Sequence, residues 1–401
     1  MKKYLLSIFI VIFAFALFAC NTTNEKDDEK NNNGNNEKVT HIVKYISEGK
    51  EFYKQEVDEG VCTIEPSSPL SSSDEYIFKE WQLNGVKFSF ETPITEDITL
   101  TAKFVENPKV VQLFVDRSFS NGFGLRGVST NDGSKVFRHL TADSQEDEYY
   151  WDMAQWWTKY DMTYAEYSLE NGVHVYKNES HEVRIDNKNS SLYMKLLASK
   201  EYDAPRKDGQ NWPHILIEQS QKNVKIAGAK KVIASLDFNI IRCDNMMSEA
   251  EYSPSRHAAQ YLWYLTLRNI VPDGSDPEKV GKNGDFFWFG MPIYDNRSPK
   301  GVESYKMIDQ GFVGATNKLI YGMSSREYLK DLPIKFGTKY HIEIDILPYL
   351  KEAYIYGITN GALENTNWEN MYLGYMNFGW ELPGTFDVES EVSNISVKVY
   401  Y

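Results

Sequence analysis

Residues that build reactive centres are scarce in this chain: its 401 positions hold three cysteines and seven histidines. No His-x-His or His-Glu-x-x-His spacing occurs, so no zinc centre is expected. Cys20, Cys62 and Cys243 lie too far apart to form a metal cluster or a disulfide framework. Cys62 and Cys243 read as small buried hydrophobes. A Gly-x-Ser-x-Gly nucleophile motif is missing. Gly122-Phe123-Gly124-Leu125-Arg126-Gly127 has the spacing of a dinucleotide loop, but no helix is expected after it. Basic charge is also in deficit, with 43 Lys+Arg against 57 Asp+Glu and a net charge of −14. Such a chain is repelled by nucleic acid and by anionic lipid heads, which excludes both as partners. No βαβ alternation appears. A long apolar run occurs once, at 4–18, and is shorter than the ~20 residues a spanning helix needs.

That run follows Met1-Lys2-Lys3 and ends in Leu17-Phe18-Ala19-Cys20. A charged start, a short apolar core and a small residue before the cut mark an export signal. The segment resembles a bacterial lipoprotein signal peptide. The resemblance implies removal of residues 1–19, acylation of Cys20, and an extracytoplasmic protein held to the membrane by its lipid. Asn21 to Lys38 contains no apolar residue and cannot offset its chain entropy by burial. Residues 20–38 therefore read as a tether with a reach of ~25 Å.

Residues 39–106 form a compact unit. Its marks are Phe78-Lys79-Glu80-Trp81, the turn pair Asn84-Gly85, Phe90 before Thr92-Pro93, and the alternating close Ile98-Thr99-Leu100-Thr101-Ala102-Lys103-Phe104. Ile98, Leu100, Ala102 and Phe104 share one face. The unit resembles the Listeria–Bacteroides repeat, the internalin-type B repeat with a β-grasp-like fold. Glu80 and Phe104 depart from the residues usual there, Gly and Trp. The resemblance implies a spacer or adhesion module, not a catalyst.

Residues 107–401 read as one large antiparallel β-sandwich, or jelly roll. Period-two segments recur at 181–186, 192–197, 214–219, 232–241, 259–269, 285–294, 340–346, 371–381 and 392–400, separated by Gly, Pro, Asn and Asp clusters. One helix is expected at 348–358, and a short one through Ala154-Gln155-Trp156-Trp157-Thr158. The pattern loosely resembles concanavalin-like and jelly-roll carbohydrate-binding domains, which implies glycan contact.

Alternation sorts the faces. In 259–269, Tyr261, Trp263, Leu265 and Leu267 look inward, while Gln260, Tyr264, Thr266 and Arg268 look away. In 371–381, Tyr375, Asn377 and Glu381 fall opposite Tyr372, Met376 and Phe378. Aromatics make up 14% of the chain, and Trp288 in Phe286-Phe287-Trp288-Phe289 is the best placed to stack on a sugar. An aromatic plane with planar polar groups is what a sugar ring and its hydroxyls require. The candidate glycan site is therefore Gln260, Tyr264, Arg268, Trp288, Asn377 and Glu381. The other reading makes the aromatics core and the polar residues a solvated sheet face.

Sugar hydrolysis needs two carboxylates ~5–9 Å apart. Glu381, at a strand end, and Glu389, in the run Asp387, Glu389, Glu391, are the catalytic candidates. That run reads more simply as an acidic, edge-blunting stretch leading into the last strand. The loop Asp273-Gly274-Ser275-Asp276 could hold a structural calcium ion; no other cofactor is expected. Three functions remain open. They are non-catalytic glycan binding or adhesion, a polysaccharide-degrading hydrolase or lyase, and a purely structural envelope protein.

Overall fold

The computed structural model describes residues 39–129, 135–141, 149–220, 223–310 and 315–401. The signal segment, Cys20 and the tether lie outside the described residues. The chain divides into two compact units. One holds the residues up to Pro69 with Glu80–Lys103, the other Leu70–Lys79 with Phe104–Tyr401.

The N-terminal sheet has five strands, in the order Lys50–Asp58, Thr40–Ser47, Ile98–Glu106, Tyr76–Leu83 and Val86–Lys87. Leu83 and Val86 pair across the Asn84-Gly85 turn. Both turn residues have positive φ, 50° and 81°, which a two-residue hairpin demands and Asn-Gly tolerates. The core is small: Val43, Tyr45, Trp81 and Leu100 are buried. The Trp81 ring meets Tyr45 edge-on at 5.1 Å, and Tyr45 Oη shares a 2.8 Å hydrogen bond with Thr63.

The larger unit is mainly β, as expected, and is built from two sheets. One runs Glu166–Glu170, Val173–Lys177, His181–Asp186, Ser191–Leu197, Phe386–Tyr400, Lys231–Asn245, Lys339–Asp345, with Val110–Gln112 beside Phe386–Tyr400. The other, of ten strands, runs Tyr305–Ile308, Leu319–Gly322, Phe286–Asp295, Gln260–Asn269, Met371–Glu381, His214–Gln219, Trp151–Ala154, Phe123–Arg126, Val136–Leu140, with Val224–Lys225 beside Met371–Glu381. Most neighbours are antiparallel. Phe123–Arg126 with Trp151–Ala154, and Phe286–Asp295 with Leu319–Gly322, are parallel.

Alternation explains the sandwich. Val232, Ala234, Leu236, Phe238 and Ile240 of one sheet share a core with Tyr261, Trp263, Leu265 and Leu267 of the other. Trp380 Nε1 donates across this core to Ser390 Oγ at 2.8 Å, satisfying two buried polar groups at once. The helix Leu347–Thr359 starts with Pro348 in its first turn and buries Leu347, Leu350, Ala353 and Gly357 along one stripe. It packs on Lys231–Asn245 and Phe286–Asp295.

Several sequence expectations are corrected. No helix forms at 154–158: Ala154 ends a strand, and Trp157 sits at φ 60°, in the left-handed region. Tyr372 is half-exposed while Leu373 is buried. The register slips where Leu265 and Leu267 pair with Met376 and Leu373, so strict parity fails across that bulge. The run Asp387, Glu389, Glu391 does not blunt an edge. It lies inside Phe386–Tyr400, paired on both sides by Ser191–Leu197 and Lys231–Asn245. Cys62 and Cys243 are not in a disulfide and are half-buried rather than fully enclosed.

Candidate functional site

The outer face of the ten-stranded sheet carries a cleft of about 1160 Å³. Strand register sets its floor. His214, Glu381, Gln260 and Asp295 stand opposite one another in a single row across four strands. Four residues along, a second row runs Asp152, Glu218, Asn377, Tyr264, Gly290, Gly322, Tyr305. Farther on, Thr266 pairs with Trp288, and Arg268 with Phe286. From Gln260 to Arg268 the floor extends ~26 Å at a strand's rise per residue, which suits an extended chain better than a single small molecule.

All six sequence candidates, Gln260, Tyr264, Arg268, Trp288, Asn377 and Glu381, line this one cleft. Trp288 is half-exposed. Its ring meets Tyr375 at 5.5 Å, Phe286 at 5.6 Å and Tyr264 at 6.2 Å, each edge-on. Phe287 and Phe289, the alternate residues of that run, are core. Tyr264 Oη and Tyr305 Oη share a 2.8 Å hydrogen bond. Their rings lie over Gly290 and Gly322, where an added Cβ would come within 2.6 Å of Tyr264 and 2.2 Å of Tyr305. The glycines are thus required for space. Burial raises both phenols, Tyr305 up to about 12, so both stay protonated donors.

Glu381 anchors one end. It accepts from Trp212 Nε1 at 3.2 Å and lies 3.5 Å from His214 Nε2. Burial pushes its carboxyl up, but His214 and Trp212 outweigh this and hold it below the usual range. It is therefore an anionic acceptor at neutral pH. Trp212 stacks on His214 at 5.8 Å, and the Arg206 guanidinium covers Trp212 at 4.9 Å. Gln260 donates to Asp295 Oδ2 at 3.0 Å. Arg297 grips Asp295 through two bonds of 2.9 and 2.6 Å.

The Asp152–Glu218 end of the second row forms a largely buried charge network with Arg126. Arg126 donates to Asp152 at 2.7 Å and forms an ion pair with Glu218 at 3.1 Å. Tyr375 Oη donates to Glu218 Oε1. Burial pushes Glu218 up to about 7 despite Arg126 and Tyr375. Strand patterning alone does not pick out Glu218, Arg126, Tyr305, Trp212 or the pair Trp156-Trp157, which also line or underlie the cleft. Two signals do point to some of them. Glu218 is a charge directly after the apolar run Ile215-Leu216-Ile217 of the strand His214–Gln219, and two adjacent tryptophans closely follow Trp151–Ala154.

The second catalytic candidate, Glu389, is not brought here. It lies in the other sheet, bound by Tyr193 at 2.9 Å and by Lys195 and Arg242, each at 3.5 Å. Asp276 caps the short helix Pro277–Val280 by accepting from Glu278 N at 3.0 Å. Among the described residues no three His, Cys, Asp or Glu side chains converge as a metal site. No helix among them is long and apolar enough to cross a membrane.

Residues 41–103 match the Listeria-Bacteroides repeat domain. The segment is such a repeat. No curated protein matches the chain. Among solved structures, a cellulase derived from Cel12A of Rhodothermus marinus is similar over 59% of this chain and 96% of its own, at 11% identity and TM-score 0.31. A family 12 xyloglucanase from Bacillus licheniformis is similar over 59% and 97%, at 11% identity and TM-score 0.33. Endoglucanase 3 of Trichoderma harzianum is similar over 59% and 98%, at 10% identity and TM-score 0.25. Similarity this distant assigns no activity.

Proposed function

We propose that the protein is a lipid-anchored, extracytoplasmic glycan-binding protein that holds an extended polysaccharide along the cleft. The observation that carries this reading is the make-up of the floor. A half-exposed Trp288 cluster and the Tyr264–Tyr305 pair share the floor with Asn377 and, towards the other end, with Gln260 and Glu381. Aromatic faces take the C–H face of a sugar, and fixed amide, carboxylate and phenol groups take its hydroxyls. The lipidated Cys20 and the 20–38 tether are proposed on sequence grounds, and a repeat at 41–103 suits a surface protein.

Binding is favoured over hydrolysis by one feature of the first row. The position facing Glu381 on the next strand carries an amide, Gln260, where a paired carboxylate would stand ~5 Å away. Asp295, one strand farther, is neutralised by Arg297. A glycan array probed with the full chain tests the proposal. Binding to at least one extracellular polysaccharide is expected, with affinity on the order of micromolar to millimolar. No binding to any polysaccharide overturns it.

A further inference from the structure

The Arg268 end of the cleft differs in charge from the Glu381 end. Of the ten arginines in the chain, nine have an acidic or carbonyl partner. Arg268 has neither among the described residues, and its Nε is buried without an acceptor. Nearby Lys318 is neutralised by Asp285. The floor is cut away to let the Arg268 stem lie flat. At Gly374 an added Cβ would come within 3.0 Å of Arg268 Cδ and 2.6 Å of Asn223 Oδ1. The φ of Gly374 is unexceptional, so space is what that glycine provides. Phe286 faces Arg268 directly, and Trp288 follows two residues on.

A buried N–H without an acceptor is costly, because water cannot replace the missing bond. A guanidinium presents its donors in a planar fork, which two oxygens on one carbon or sulfur fill together. A single sugar hydroxyl supplies only one oxygen. Among the described residues lining the cleft no carboxylate pairs with Arg268, so this spot is locally cationic although the chain as a whole carries a net charge of −14 and repels polyanions elsewhere. Resting on the glycan-binding reading, we infer that the cleft is specific for an acidic polysaccharide, whose uronate carboxylate or sulfate ester docks on Arg268 while its ring lies against Phe286 and Trp288.

The test uses the full chain and matched pairs of polymers, each pair differing only in charge. Polygalacturonate is set against its methyl ester, and carrageenan against its desulfated form. Affinity electrophoresis should show at least one charged polymer bound about tenfold or more tightly than its neutral partner. The pair that responds separates carboxylate from sulfate. Arg268→Gln should abolish the difference, and Arg268→Lys should restore part of it. Equal binding of charged and neutral partners, or full affinity in folded Arg268→Gln, overturns the inference and leaves glycan binding standing. If no polymer of either kind binds, the glycan-binding reading falls and the inference with it. Should Arg268→Gln fail to fold by circular dichroism, the methyl ester and desulfated polymers still decide, because they remove the charge from the ligand alone.

Discussion

Glu381 and Gln260 stand directly opposite each other on neighbouring antiparallel strands. One is an anionic acceptor held by Trp212 and His214, the other an amide turned towards Asp295. Together they offer acceptors and donors to adjacent hydroxyls, but only one carboxylate. Prolonged incubation with a bound polysaccharide should therefore produce no new reducing ends. A steady rise, abolished by Glu381→Gln, would show that the cleft is a hydrolase.

The Glu218 carboxyl makes stability depend on pH with a definite sign. Its value moves from 4.5 to about 7 on folding, so the folded state binds the extra proton between those limits. Stability from this group is fully present below about 4.5 and is lost as pH rises through about 7. The full swing is ~3 kcal/mol, from about 1.36 kcal/mol per unit. Chemical denaturation should show Glu218→Gln gaining on the wild type by about that amount between about pH 4.5 and about pH 8. The reverse trend would mean that the Arg126 ion pair outweighs burial.

The two-sheet core gives a second contrast. Trp380 is fully buried and bonds Ser390 across the sandwich. Trp380→Ala should cost ~3–5 kcal/mol in denaturant melts, as loss of a core aromatic does. Gly322→Ala should cost less, ~1–3 kcal/mol from crowding the Tyr305 ring, yet disturb the cleft more. A Gly322→Ala protein with unaltered glycan affinity would show that the Tyr264–Tyr305 pair does not shape the site.

Much of the cleft floor is legible in the sequence. The strand Gln260–Asn269 is half-buried, so inward Tyr261, Trp263, Leu265 and Leu267 and outward Gln260, Tyr264 and Arg268 follow from period two alone. Trp288 follows in the same way from its neighbours Phe287 and Phe289. Pairing order is a different matter. Nothing local says that Phe386–Tyr400 sits between Ser191–Leu197 and Lys231–Asn245, so Glu389 reads as free when it is bound on both sides. The bulge near Gly374 reverses the parity that would bury Tyr372. Trp156, Trp157 and Trp212 belong to loops, whose course depends on distant contacts such as Trp157 N bonding Val128 O.

The proposed anchor has its own test. Cys20→Ser should remove the acyl acceptor, leaving the protein in the aqueous phase after detergent partition or still carrying residues 1–19. A Cys20→Ser protein that is cut at the same place and still enters the detergent phase would refute lipidation.

The most direct test of the account is the affinity of Trp288→Ala for the best-bound polysaccharide, measured by isothermal titration beside a melting curve. Trp288 is half-exposed and meets rings of the cleft face and the Thr316 hydroxyl. Stability should therefore change by only ~1 kcal/mol, while affinity should fall by about tenfold or more. A folded Trp288→Ala protein with wild-type affinity would contradict the account, because the sugar would then not lie on this sheet.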